Sequence, residues 1–129
     1  MATIKSYTDL EQSKKLAEIL PLESADMHWT KDFDGSWFPD LSEFKSVKIP
    51  KYVDKVEEHL LPCWSLASLL SVFPILDDRS PVTSKTFDKK YRVLYHSTAY
   101  EKAILTIDYD NPIDACVAMI EKLHELKML

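Results

Sequence analysis

This chain of 129 residues contains a single glycine, Gly35. A loop that cradles phosphate needs several residues without Cβ, so that the backbone turns tightly and comes close to its ligand. The patterns GxxxxGKS/T, GxGxxG and GxSxG all require more than one glycine. P-loop and Rossmann nucleotide binding and the strained nucleophile elbow of α/β-hydrolases are therefore excluded, and no cofactor is implied. The glycine also marks a turn. It follows Asp34, and Asp-Gly is the pair that a two-residue type I′ turn prefers, because both central residues need positive φ. Trp29, Phe33, Trp37 and Phe38 flank it. The pattern predicts a β-hairpin over 26–38, with Pro39 placing its second strand at a sheet edge.

The rest of the chain has the apolar content of a folded protein, 46% against 29% charged. That is enough for a single domain over 1–129 with one core and no need of metals or disulfides. Sixteen basic and 21 acidic residues leave a formal charge of −5. This balance argues against a surface that neutralises nucleic-acid phosphates or anionic lipid. The carboxylates alternate with lysines instead of forming the regular rows of a DNA mimic. No run reaches the ~18 apolar residues of a membrane span. The opening "MATIKSYTDLEQ" turns polar at once, unlike a signal peptide, so a cytoplasmic protein is expected. Two cysteines without close spacing fit reduced thiols in that compartment.

Three helices are expected. "TDLEQSKKLAEILP" offers Thr8 and Glu11 as a capping box, apolar residues at helical spacing and a stop at Pro21, predicting a helix over 8–20. "LPCWSLASLLSVFP" places Pro62 at a helix start, with apolar residues on most sides as far as Phe73. "NPIDACVAMIEKLHELKML" has Asn111 as N-cap and Pro112 at the first helical position. Its apolar stripe runs through Ile113, Cys116, Val117, Ile120 and Leu123. Between the last two helices, 75–90 reads as loop, and "YRVLYHS" and "EKAILTIDY" read as two strands. "SVKIPKYVDKVEEHLL" fits helix or strand equally. The fold class is α+β: three main helices packed on a small, mostly antiparallel sheet, in the order α, β-hairpin, α, β-hairpin, α.

Several groups invite a chemical reading. Cys63, near a helix start and close in sequence to His59, has the makings of a thiol nucleophile, and His96 is a second candidate base. A set of His96, Asp108 and Asp110 would serve a hydrolase-type enzyme. Against Cys63 stands its apolar setting between Leu60–Leu61 and Trp64–Leu66, where a free cysteine behaves as a small hydrophobe. Cys63, Cys116, His59 and His124 are zinc-ligand types, but no pair has the short spacing of a structural site. Cys116 and His124 would stand about 12 Å apart by helical rise alone. "DYDNPID" lacks the glycine and the terminal glutamate of a calcium loop, and capping of the last helix explains its residues. No metal site is expected.

The aromatic residues are more numerous than one small core easily hides. Trp29, Phe33, Trp37 and Phe38 around the turn either cover the sheet or form an exposed patch for a protein partner. The reading adopted is a non-enzymatic interaction module binding a protein partner or itself, with no nucleic acid and no membrane involved. The alternative is the small hydrolase.

"LPCWSLASLLSVFP" together with "NPIDACVAMIEKLHELKML", preceded by "YEKAILTIDYD", resembles a family of short, functionally uncharacterised proteins. These are encoded in phage and mobile-element regions of gut Bacteroidetes. In that family a Pro-Trp-Ser-Leu-led helix in mid-chain and an Asn/Asp-Pro-x-Asp-Ala-led helix at the end recur. The likeness covers about half of the chain and implies context only: a cytoplasmic accessory protein of a mobile element. It assigns no catalytic or binding residue.

Overall fold

A computed structural model of the chain describes residues 5–47, 59–74, 82–85, 90–96, 103–105 and 109–129. Among these, the elements in chain order are α1 (Leu10–Ala17), β1 (Met27–Lys31), β2 (Trp37–Asp40), β3 (Leu60–Cys63), α2 (Leu66–Val72), β4 (Val82–Lys85), β5 (Tyr91–His96), β6 (Ala103–Leu105) and α3 (Pro112–Glu125). The class is α+β as expected, but the order is richer. Each hairpin gains a strand, giving two three-stranded antiparallel sheets, β2-β1-β3 and β4-β5-β6. The backbone forms two compact units, 7–68 and 69–129 with 1–6, the boundary falling within α2.

In the first unit the predicted helix at 8–20 becomes α1 over Leu10–Ala17, continued by a turn to Leu20. Its capping box is shifted by one residue from the expected Thr8 and Glu11. Asp9 accepts from the Gln12 amide at 2.8 Å, and the Gln12 side chain accepts from the Asp9 amide at 3.1 Å. Thr8 is fully buried instead, its hydroxyl 2.8 Å from Ser13 Oγ and accepting from the Trp64 amide at 3.1 Å. A side chain bound to the distant Trp64 is not available to cap its own helix.

The helix expected to open at Pro62 also starts later. Residues 60–63 are strand β3, paired with β1 in the register Met27↔Cys63, His28↔Pro62, Trp29↔Leu61, Thr30↔Leu60. The Lys31 amide donates to the His59 carbonyl at 2.9 Å, so alternation turns the Pro62 nitrogen away from β1. On this edge strand the missing N–H costs no ladder bond. α2 begins only after Ser65, whose hydroxyl accepts from the Ser68 amide at 3.3 Å in the manner of an N-cap.

The hairpin lies close to its predicted span, and β2 is an edge strand as Pro39 required. The turn is not type I′. Five residues separate the last cross-strand pair, Lys31↔Trp37. The Gly35 amide donates to the Asp32 carbonyl at 3.0 Å and the Asp32 amide to the Ser36 carbonyl at 2.8 Å. Within the turn only Gly35 adopts positive φ, +88°, while Asp34 does not. Glycine is thus needed at the bulge after the turn, one step later than a type I′ turn requires at its first position.

In the second unit β5 pairs with β6 as expected, and β4 adds a strand where only loop was read. α3 packs on β5 and follows the sequence closely. Asn111 accepts from the Asp114 amide at 2.9 Å, Pro112 opens the helix, and Ile113, Cys116, Val117, Ile120 and Leu123 are all buried. Lys5 reaches Asp114 at 3.0 Å, anchoring the start of the chain to this helix end. Most of the segment that fitted helix or strand, 48–58, lies outside the described residues.

Candidate functional site

The candidate site is the far end of the first hairpin. Side chains alternate along β1, so Met27, Trp29 and Lys31 share one sheet face with Trp37, Pro39, Leu61 and Cys63. His28 and Thr30 share the other face with Phe38, Asp40, Leu60 and Pro62. The four aromatics grouped by sequence are therefore divided. Trp29 stacks edge-to-face on Tyr7 at 5.7 Å and donates from Nε1 to the Thr8 carbonyl at 3.1 Å. Trp37 is half-buried, with Lys31 Nζ 5.9 Å from its ring centre. Phe38 looks out from the opposite face at 43% exposure, and Phe33 stands at the tip with 109% exposure, touching nothing that would shield it. Leu41, just past β2, is 83% exposed and adds an apolar group that sequence reasoning did not single out.

Local bonds hold the tip in shape. Asp32 Oδ1 accepts from the Phe33 amide at 2.7 Å and Asp34 Oδ1 from the Ser36 amide at 2.9 Å. Together with the two backbone bonds of the turn they leave Phe33 projecting from an ordered loop. The hydrogen bonds from Ser36 hold the Asp34 carboxyl below its ordinary range. Asp40 is lowered likewise by bonds from Ser42, with His28 adding a smaller effect.

The catalytic candidates fare differently. Cys63 is fully buried, its thiol donating to the Thr8 carbonyl at 3.6 Å. Burial pushes its pKa up to about 11, with Asp26 raising it further and the Thr8 hydroxyl opposing. Cys116 is pushed up to about 12 by burial. Both thiols thus stay protonated at neutral pH, whereas a nucleophilic cysteine needs a lowered pKa and access. His59 is exposed. His96 lies on β5 opposite Ala103, Asp110 pairs with Lys90, and Asp108 lies outside the described residues.

One histidine escaped sequence reasoning. His28 is 7% exposed, and its Nδ1 donates to the Ser42 carbonyl at 2.7 Å, while Asp40 accepts from the Ser42 amide at 2.8 Å. The residue types are those of a Ser-His-Asp set. Ser42, however, takes part through its backbone, so the arrangement clasps the chain after β2 onto the sheet and does not activate a hydroxyl. Burial along β1 does not alternate, Met27 and His28 both being buried, so no period-two pattern in the sequence would have placed this ring inside. Among the described residues no three His, Cys, Asp or Glu side chains are grouped to hold a metal ion, and no helix is long and apolar enough to cross a membrane.

Compared with family models, curated proteins and solved structures, the chain has no match.

Proposed function

We propose that this chain is a non-enzymatic protein-interaction module whose first hairpin is the docking element. The observation that carries the reading is Phe33. A large apolar ring lies fully in solvent on a loop ordered by four hydrogen bonds, and no fold contact accounts for it. Aromatic anchors held in place before binding are what interface hot spots are made of, because little conformational entropy is lost on association. Phe38, near the turn, and Leu41, at the other end of β2, are further exposed apolar groups of the hairpin.

Docking is by side chains. On β2, alternation turns the Pro39 nitrogen outwards, since its partner Trp29 faces β3 with its own amide. A proline there removes a donor from the free edge and discourages addition of a further strand. The setting implied by the family resemblance, a cytoplasmic accessory protein of a mobile element, belongs to this proposal and rests on the two motifs alone.

The test uses the full chain as bait in an extract of its own cells, beside a Phe33→Ser, Phe38→Ser variant. Proteins retained by the natural chain and released by the variant are expected. Identical retention by both baits would remove the hairpin from the interface. The hydrolase alternative makes its own demand. Native Cys63 and Cys116 should react with a thiol reagent only as fast as the protein unfolds, and rapid labelling of Cys63 in the folded state would revive it.

A further inference from the structure

The stretch 32–43, "DFDGSWFPDLSE", carries four carboxylates and no basic residue, interleaved with Phe33, Trp37, Phe38 and Leu41. Those four negative charges stand against a net charge of −5 for the whole chain. We propose that the hairpin tip docks into an apolar recess bordered by arginines on a protein partner. This inference rests on the docking role proposed above and names the chemistry of the surface that receives it.

Asp32 and Asp34 bracket the exposed Phe33, and both are themselves exposed. Each uses Oδ1 within the turn, and among the described residues neither forms an ion pair. The cation next in sequence, Lys31, lies over Trp37 instead. Among the described residues Glu43 pairs with Lys45 at 3.6 Å, and the Asp40 carboxyl is lowered by bonds from Ser42 and in part by His28. A partner must therefore shield an aromatic ring and offset carboxylates on either side of it. Arginine does both: its planar guanidinium stacks on an aromatic face and bonds a carboxylate through two parallel N–H groups, which a lysine ammonium cannot do. Nucleic acid and acidic surfaces are repelled by the same charges.

The probe is an amidated peptide of alternating arginine and leucine, with lysine and glutamate counterparts, titrated into the isotope-labelled full chain and followed by NMR. The arginine peptide should shift the signals of 32–41 saturably, and the lysine peptide should bind more weakly. The glutamate peptide should have no effect. Asp32→Asn with Asp34→Asn keeps an oxygen acceptor at both positions, so the turn retains its bonds while its charge is lost. Half-saturation should then rise roughly ten-fold, as it should when salt screens the charges. Shifts centred elsewhere, equal binding of the glutamate peptide, or an unchanged double variant would overturn the inference. The capture experiment separates this from failure of the docking reading. A protein released by Phe33→Ser, Phe38→Ser but retained by the double Asn variant leaves docking standing and sinks the basic partner. Retention by the serine variant sinks docking itself.

Discussion

Where β1 begins, Asp26 accepts from both the amide and the hydroxyl of Ser65, the amide at 2.9 Å, and Trp64 beside it is fully buried with its Nε1 donating to Ser24 Oγ at 2.9 Å. Where β1 ends, Asp32 and Asp34 accept only from within their own turn, and Phe33 is bare. The same two residue types, an acid and an aromatic, join distant parts of the chain at one end and face solvent at the other. Removing a group at the base takes a bond from part-buried partners, whereas removing one at the tip leaves only water to take its place. The base is built for folding, and the tip is unused by it.

Trp64→Ala tests the contrast most severely. It opens a large cavity and removes the donor to Ser24 Oγ, so a loss of about 3–5 kcal/mol is expected in urea unfolding. A loss below that of an ordinary surface change would mean that the base is not the anchor described.

Asp26→Asn should cost about 2 kcal/mol, because it weakens charge-assisted bonds to Ser65. The effect carries a pH signature. Burial raises the Asp26 carboxyl, but the bonds from Ser65 and Ser68 outweigh it and hold the group below its ordinary value of 3.8. A carboxyl lowered by folding contributes stability that is present above 3.8 and lost as pH falls through its folded value. The gap between the natural chain and Asp26→Asn should therefore narrow in acid. A gap that is constant down to the acid unfolding of both proteins would place the Asp26 bonds outside the folding balance.

Gly35→Ala lies between the two ends. An added Cβ would meet nothing closer than Lys31 Cε at 3.9 Å, so the cost is that of positive φ alone, about 1–2 kcal/mol. A neutral result would mean that the turn relaxes without its bulge. Phe33→Ser should change stability by no more than about 0.5 kcal/mol, read as an unshifted thermal midpoint. A clear destabilisation would make the ring part of the fold and end its claim to be a docking group.

The elements most readable in the sequence were those whose determinants are local. α3 is set by Asn111, Pro112 and an apolar stripe within a few residues of one another, and it appears as expected. Pro62 misled for a physical reason: a proline at the first turn of a helix and a proline on an edge strand both occupy a place where no N–H is needed. Only pairing with β1 distinguishes them, and β1 lies more than thirty residues away. Thr8 read as the cap of α1, but its hydroxyl is taken by the distant Trp64 and Asp9 caps the helix instead. In the candidate site the sequence marked Phe33 and Phe38 correctly as aromatic neighbours of a turn. It could not say that Trp29 and Trp37 would share the opposite face from Phe38, because a face depends on strand register.

What the sequence determined by itself is the α+β composition, the helix α3, the place of the hairpin and the absence of glycine-rich phosphate loops. All of these follow from short-range propensity and from which residues lack a Cβ or an N–H. The tertiary structure decided that Cys63 is a buried strand residue, that Asp26 caps the entry to α2 through Ser65, and that Phe33 is left in solvent. Each of those outcomes depends on which distant group arrives to satisfy a bond or cover a surface, and that is settled only when the strands meet.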